Sequence, residues 1–100
     1  MREPTRAPSN ELPIAAPSEV YFDRLSSVLE KRGVSRSSHY KDIKDGKFPR
    51  PVKLGLRTVG WPQHETNAVN AARLAGKSDE EIRSLVAQLE AIRSITRDVG

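Results

Sequence analysis

The stretch Leu25-Ser-Ser-Val-Leu-Glu-Lys-Arg-Gly-Val-Ser-Arg-Ser-Ser-His-Tyr-Lys-Asp-Ile-Lys-Asp-Gly46 carries the fold in its punctuation. Leu25, Val28 and Leu29 fall at i, i+3 and i+4, the spacing of one apolar helix face, and Asp23 or Ser26 is a candidate cap at its start. Gly33 can take the positive φ that ends such a helix near Arg32. Val34 is then a buried turn residue, and Ser35 is a good N-cap for a second helix over about Arg36 to Asp45, which Gly46 ends in the same way. Two helices joined by Gly33-Val34-Ser35 within about 20 residues have the outline of a helix-turn-helix. On the second helix Tyr40 and Ile43 are expected to face the first, leaving Ser38, Lys41 and Asp45 on the polar outer side.

The flanking segments read outward from this pair. After Lys47-Phe48-Pro49-Arg50-Pro51, the runs Val52-Lys53-Leu54 and Thr58-Val59-Gly60-Trp61 alternate around Gly55-Leu56-Arg57 and predict a small β-hairpin. Two strands are marginal alone, so Val52, Leu54, Val59 and Trp61 are expected to pack on the helices. Pro62 suits the first turn of a third helix through Ala68, Val69, Ala72 and Leu74, stopped by Gly76. Ser78 and Glu81 have capping-box spacing for a fourth, about Asp79 to Arg97. Its apolar stripe is Ile82, Leu85, Val86, Leu89 and Ile92. That stripe either folds back on Val69, Ala72 and Leu74 or pairs with a second copy or another protein. Upstream, residues 1–19 hold four of the seven prolines and no apolar period, and are expected to be a disordered arm.

Composition narrows the function. One hundred residues with five aromatics have room for one small, mainly aliphatic core and no large substrate cavity. The absence of cysteine excludes disulfides, thiolate metal sites and a thiol nucleophile. There is no apolar run long enough for a membrane span or a signal peptide, so a cytoplasmic, nucleoid-associated protein without a membrane partner is expected. Counted along the chain, residues 1–20 carry two basic and three acidic groups, residues 21–61 ten and four, and residues 62–100 five and six. All of the +4 net charge thus comes from the helix-turn-helix and hairpin, as expected of one module that meets a polyanion.

The segment from Leu25 to about Ala75 resembles the AlpA-like regulators of phages and integrated elements, relatives of small excisionases and of MerR-type winged helices. The resemblance rests on Leu25-Ser-Ser-Val-Leu29, Gly33-Val-Ser-Arg-Ser-Ser38, Tyr40 with Ile43, Lys44-Asp-Gly-Lys-Phe-Pro-Arg-Pro-Val-Lys-Leu-Gly55 and Val59-Gly-Trp61. Three positions depart from the pattern: His39 and Asp42, where an aliphatic residue is usual or frequent, and Leu56, where a small residue is usual. These departures are expected to bear on which bases are read more than on the fold. The resemblance implies a fold that is mainly α with a small β-hairpin wing, a winged helix-turn-helix over residues 20–76 followed by a C-terminal amphipathic helix over 77–100. It also implies a DNA-binding protein that activates transcription or bends DNA for excision, commonly beside an integrase gene.

In such a fold the second helix lies in the major groove, with Arg36, Ser37 and Ser38 at base edges and Lys41 one turn on. The amides freed at Ser35 to Ser37 suit a phosphate. Lys44, Lys47, Arg50, Lys53 and Arg57 continue the basic run through the hairpin, where Lys53 and Arg57 flank Gly55 at the tip. Four to six phosphate contacts would give a salt slope of about −4 to −5. The alternative for these residues is a solvated basic surface. Trp61 and Tyr40 are expected in the core, Tyr40 with its hydroxyl near the DNA, and Phe48 is expected beneath the wing. His39 and His64 lack ligand spacing, and no phosphate loop, catalytic carboxylate pair or metalloprotease motif occurs. An enzyme or a cofactor is therefore not expected. Double-stranded DNA is the expected partner, with a homodimer or cooperative oligomer on it and an integrase as further candidates. The competing readings are a protein-interaction adaptor docking through the last helix and, with less support, an RNA-binding protein.

Overall fold

The computed structural model describes residues 19–99, with side chains to Ser94. The arm expected over residues 1–19 lies outside the described residues except for Glu19. The elements in chain order are β1 (Phe22–Asp23), α1 (Leu25–Arg32), α2 (Arg36–Lys44), β2 (Val52–Lys53), β3 (Val59–Pro62), α3 (Gln63–Leu74) and α4 (Asp79–Val99). The fold is mainly α with a small antiparallel sheet.

That sheet has three strands in the order β1-β3-β2, one more than the hairpin alone supplies. Val52 pairs with Gly60 and Lys53 with Val59, while Phe22 and Asp23 pair with Pro62 and Trp61 on the other side of β3. A two-residue strand is too short for alternation to announce it. Its formation depends on Gly60, because a Cβ there would stand 2.8 Å from Leu54 Cδ1 and 3.2 Å from the Asp23 carbonyl oxygen. The strand also takes Asp23 away from the expected capping role. Arg24 occupies the α1 N-cap with no side-chain bond, and the Asp23 carboxylate accepts from Lys31 Nζ at 2.6 Å.

The turn between α1 and α2 is built as its residues require. Gly33 has φ 70°, and its N–H donates to the Leu29 carbonyl at 2.8 Å. Ser35 caps α2 by accepting the Ser38 N–H at 3.2 Å.

The core consists of Val28, Phe48, Trp61, Val69, Ile82, Val86 and Leu89, with Leu25, Ile43, Ala68, Ala72, Leu85 and Ile92 around it. Trp61 is fully buried, its indole N–H donating to the Pro49 carbonyl at 3.0 Å. Four expected core positions differ. Leu54 and Val59 remain half exposed, and Leu74 at the end of α3 is 91 % exposed. Tyr40 points outward, and the neighbouring His39 is buried in its place. Both 39/43 and 40/43 fit a helical period, so spacing alone admitted either phase.

Helix α4 closes the core from the C-terminal side. Its capping box is formed, with Ser78 N–H donating to Glu81 Oε1 at 2.8 Å and Glu81 N–H to Ser78 Oγ at 3.1 Å. These bonds hold the Glu81 carboxyl below its usual range, the backbone bond contributing most. The stripe folds back on Val69 and Ala72, one of the two arrangements expected of it, with Leu74 left outside: Ile82, Val86 and Leu89 are buried, with Leu85 and Ile92 packed at their margin. Polar ties reinforce this placement. Arg93 donates to both oxygens of the buried Glu65 carboxylate, from Nε at 2.9 Å and Nη2 at 2.6 Å, and to the Arg50 carbonyl at 2.8 Å. At the other end, Arg83 Nε donates to the Asp45 carbonyl at 2.9 Å, joining α4 to the end of α2. Among the described residues no helix is long and apolar enough to cross a membrane.

Candidate nucleic-acid interface

Helix α2 is nine residues long and buries only His39 completely. Ser35, Arg36, Ser37, Ser38, Tyr40, Lys41 and Lys44 are all exposed, so its outer side is polar except for the Tyr40 ring. The serines divide by role. Ser35 Oγ is committed to the cap and donates to Ser38 Oγ at 3.1 Å, whereas Ser37 stands outward beside Arg36. Lys41 donates to Asp45 Oδ2 at 3.1 Å, and that bond is the main reason the Asp45 carboxyl sits below its usual range. An exposed i,i+4 pair is worth only a few tenths of a kcal/mol, so a phosphate can compete for the lysine. Arg36 and Lys44 make no ion pair among the described residues.

The wing carries the second group of cations. Leu54 N–H and Gly55 N–H both donate to the Thr58 carbonyl, at 2.7 and 3.2 Å, and close a three-residue tip of Gly55, Leu56 and Arg57. Lys53 and Arg57 are exposed there. Arg50 differs from them, because Glu90 accepts its guanidinium at 3.0 Å and its backbone N–H at 2.8 Å. Lys47 lies 3.6 Å from Asp79 and is largely covered. The continuous basic run of the sequence is therefore two groups, with Arg36, Lys41 and Lys44 on α2 and Lys53 and Arg57 on the wing. Arg50 and Lys47 are drawn toward α4.

Beneath the outer face lies a polar cluster that the sequence did not announce. The Arg32 side chain is 5 % exposed, and it donates to Asp42 Oδ2 at 2.6 Å and to His39 Nδ1 at 2.8 Å. Its guanidinium also stands over the Phe48 ring at 4.2 Å from the centroid. One buried cation thus touches α1, α2 and the segment leading to the wing. An arginine can only donate, so Nδ1 is an acceptor and the proton of the neutral ring is on Nε2. Nε2 is buried and has no hydrogen-bond partner, and the imidazole lies against the rings of Tyr40, Phe48 and Trp61, with centroids 5.2, 5.1 and 4.9 Å from its own. Burial, then the Arg32 charge, lowers the His39 pKa from 6.5 to about 4, with Asp42 opposing. His39 and Asp42 are two of the three positions that depart from the resembled pattern. Both serve the fold through Arg32, so the expectation that they bear on base reading is corrected. The usable signal was that both sit on one side of α2, within reach of a cation at the end of α1. Among the described residues no cluster of His, Asp and Glu is placed to hold a metal ion.

Comparison with known proteins covers this same region. The family model described as Prophage CP4-57 regulatory protein (AlpA) matches residues 22–68, from β1 through α1, α2 and the wing into α3. The uncharacterized protein ORF88 of Enterobacteria phage P4 is 37 % identical over 75 residues, which is 74 % of this chain and 85 % of that one. No solved structure matches the chain significantly.

Proposed function

The chain belongs to the AlpA family of prophage regulatory proteins, and from that premise we propose that it acts by sequence-specific binding to double-stranded DNA. Helix α2 enters the major groove with Arg36 and Ser37 at base edges, Arg36 in the bidentate geometry that suits guanine O6 and N7. Lys41, Lys44 and the freed amides at the start of α2 hold phosphates, with Ser35 and Ser38 shaping that end and the Tyr40 hydroxyl adding a polar contact. Lys53 and Arg57 bring the wing to the neighbouring backbone or minor groove. The biological role that fits is transcriptional regulation or recombination directionality in a phage or integrated element, in the cytoplasm, beside an integrase. Residues 20–76 are the binding module on this reading, and residues 77–100 brace it. Single modules of this size discriminate weakly, so copies acting together on adjacent sites complete the reading.

The observation that carries the proposal is the outer side of α2, where Arg36, Ser37 and Lys44 stand exposed on a helix whose inner side is fixed by buried groups. The adaptor reading needs an open apolar stripe on α4, and Ile82, Val86 and Leu89 are enclosed. The test is a mobility shift over a salt series with duplex fragments tiling the DNA around the gene and a scrambled duplex as control. One fragment should be retained at salt that releases the scrambled duplex. Five cations per copy give a slope of log affinity against log salt of about −4 to −5. Arg36→Glu with Lys41→Glu should abolish retention while leaving the circular dichroism of the chain intact. Equal retention of all fragments by this double variant and the unaltered protein would sink the assignment.

A further inference from the structure

The wing ends in a leucine. Leu56 is 88 % exposed, at the middle of the three-residue tip, and makes no contact with the core. Apolar residues scattered singly over a surface are ordinary, but this one has three properties that a stray leucine lacks. It occupies the farthest point of a hairpin whose backbone is closed by two bonds to the Thr58 carbonyl, so its position is fixed rather than trailing. It is bracketed by Lys53 and Arg57, neither of which makes an ion pair among the described residues. And Leu54 and Val59 behind it are half exposed, so the tip is apolar at its centre and cationic at its sides.

We propose that Leu56 is a wedge that enters the minor groove and partly unstacks a base step, while Lys53 and Arg57 hold the phosphates on either side. The inference rests on the DNA-binding reading and adds to it what the wing does to the duplex. A short apolar side chain delivered between cations is the chemistry by which minor-groove proteins kink DNA, by about 20–90° toward the major groove. Flexible pyrimidine–purine steps yield most readily, so the wedge selects sequence at a step with which it makes no hydrogen bond. A protein partner for the same tip would need acidic groups opposite Lys53 and Arg57 as well as an apolar socket. The phosphate backbone supplies the charge and the base step supplies the socket.

The test compares the full chain with Leu56→Ala, Leu56→Met and Arg57→Ala. Because the side chain is solvent-exposed, the Leu56 variants should keep the thermal midpoint and circular dichroism of the parent. The probe is the fragment retained in the tiling experiment, cut in circular permutation so that mobility reports the bend. A second copy of that fragment carries 2-aminopurine at successive positions across the wing's half of the footprint. The parent and Leu56→Met should bend the fragment and brighten 2-aminopurine at one step. Leu56→Ala should bind within about tenfold of the parent, since phosphate contacts supply most of the affinity, but lose both signals. Arg57→Ala should lose affinity and lower the salt slope by about one. Bending and brightening that persist in Leu56→Ala, or a parent that binds without bending, overturn the wedge and leave the DNA-binding reading standing. A parent that retains no fragment overturns that reading and the wedge with it.

Discussion

The two helix pairs of this molecule are held together in different ways. Between α3 and α4 the contact is mainly aliphatic, with Val69, Ile82, Val86 and Leu89 enclosed and two ion pairs, the buried Glu65 with Arg93 and the more exposed Arg73 with Asp79, toward its ends. On α1 and α2 the fully buried side chains are Val28 and His39, and the two helices are tied to each other by Arg32, which donates to His39 and Asp42. A helix of nine residues that keeps a broad polar face outward has few positions left to turn inward. Directional bonds from one cation then do what an apolar stripe does elsewhere, fixing the angle as well as the attachment. The α3–α4 pair is a platform, and the α1–α2 pair is a presenting device mounted on it.

The most direct way to break the platform is to remove apolar volume from α4. Leu89→Ala should cost about 2–5 kcal/mol, from lost transfer free energy and the cavity left behind. In urea the midpoint should fall for α2 and α4 together, because one core cluster contains residues from both pairs. Separate transitions, read by near-ultraviolet signals of Trp61 and far-ultraviolet helicity, would show that the pairs are independent units.

A smaller effect should follow from breaking the presenting device. Arg32→Met leaves His39 Nδ1 and the Asp42 carboxylate without their donor, and should cost about 1–3 kcal/mol, the price of polar groups buried unsatisfied. Asp42 retains partial access to water, which keeps the figure below that of a sealed ion pair. Adding His39→Leu and Asp42→Leu removes the stranded groups and should restore most of the loss, as apolar replacement of a whole buried network often does. If polar direction matters to function, the triple variant should recover stability but not the full affinity of the parent for its retained DNA fragment. Full recovery of both would mean that apolar packing presents α2 equally well.

What was legible in the sequence follows the same division. Gly33, Ser35, Gly46, Ser78 and Glu81 act locally, through positive φ or a cap bond three residues away, and each marks its element where the chain says it should. The stripe on α4 was legible as a stripe, but its partner was not, because spacing records which residues need cover and not what covers them. The Arg32 cluster was hidden for a different reason. Its members look like two separate charges and an unrelated histidine, and only the fold brings the end of α1 over the inner side of α2. Strand β1 escaped because two residues have no period, and its place depends on a glycine 37 or 38 positions away. On α2, Ser38 and Lys41 stand on the outer side as their spacing predicts, while Tyr40 and His39 exchange places, because two adjacent residues fit the same period in different phases.

His39 supplies the finest separation between the two pairs, because it titrates. The unfolded chain takes up a proton on this ring near pH 6.5 and the folded chain only at about 4. Between these values acid favours the unfolded state, so the contribution of neutral His39 is complete above about pH 6.5 and shrinks as the pH falls. At pH 5.5, one unit below the unfolded value, the loss should be about 1.4 kcal/mol. The protonated ring also has no acceptor left for Arg32, and its Nδ1–H would stand 2.8 Å from a guanidinium nitrogen. Asp42 is the charged group that opposes this, and the rings of Tyr40, Phe48 and Trp61 around His39 offer only faces and edges. His39→Gln keeps an acceptor for Arg32 but does not titrate. Urea midpoints of the two proteins measured from pH 7.5 to 4.5 should therefore differ by a constant amount above pH 7 and converge or cross below 6.5, as the parent alone loses stability to this ring. Parallel curves over the whole range would mean that the imidazole is not the neutral acceptor at the centre of the α1–α2 contact, and that Asp42 alone holds Arg32 in place.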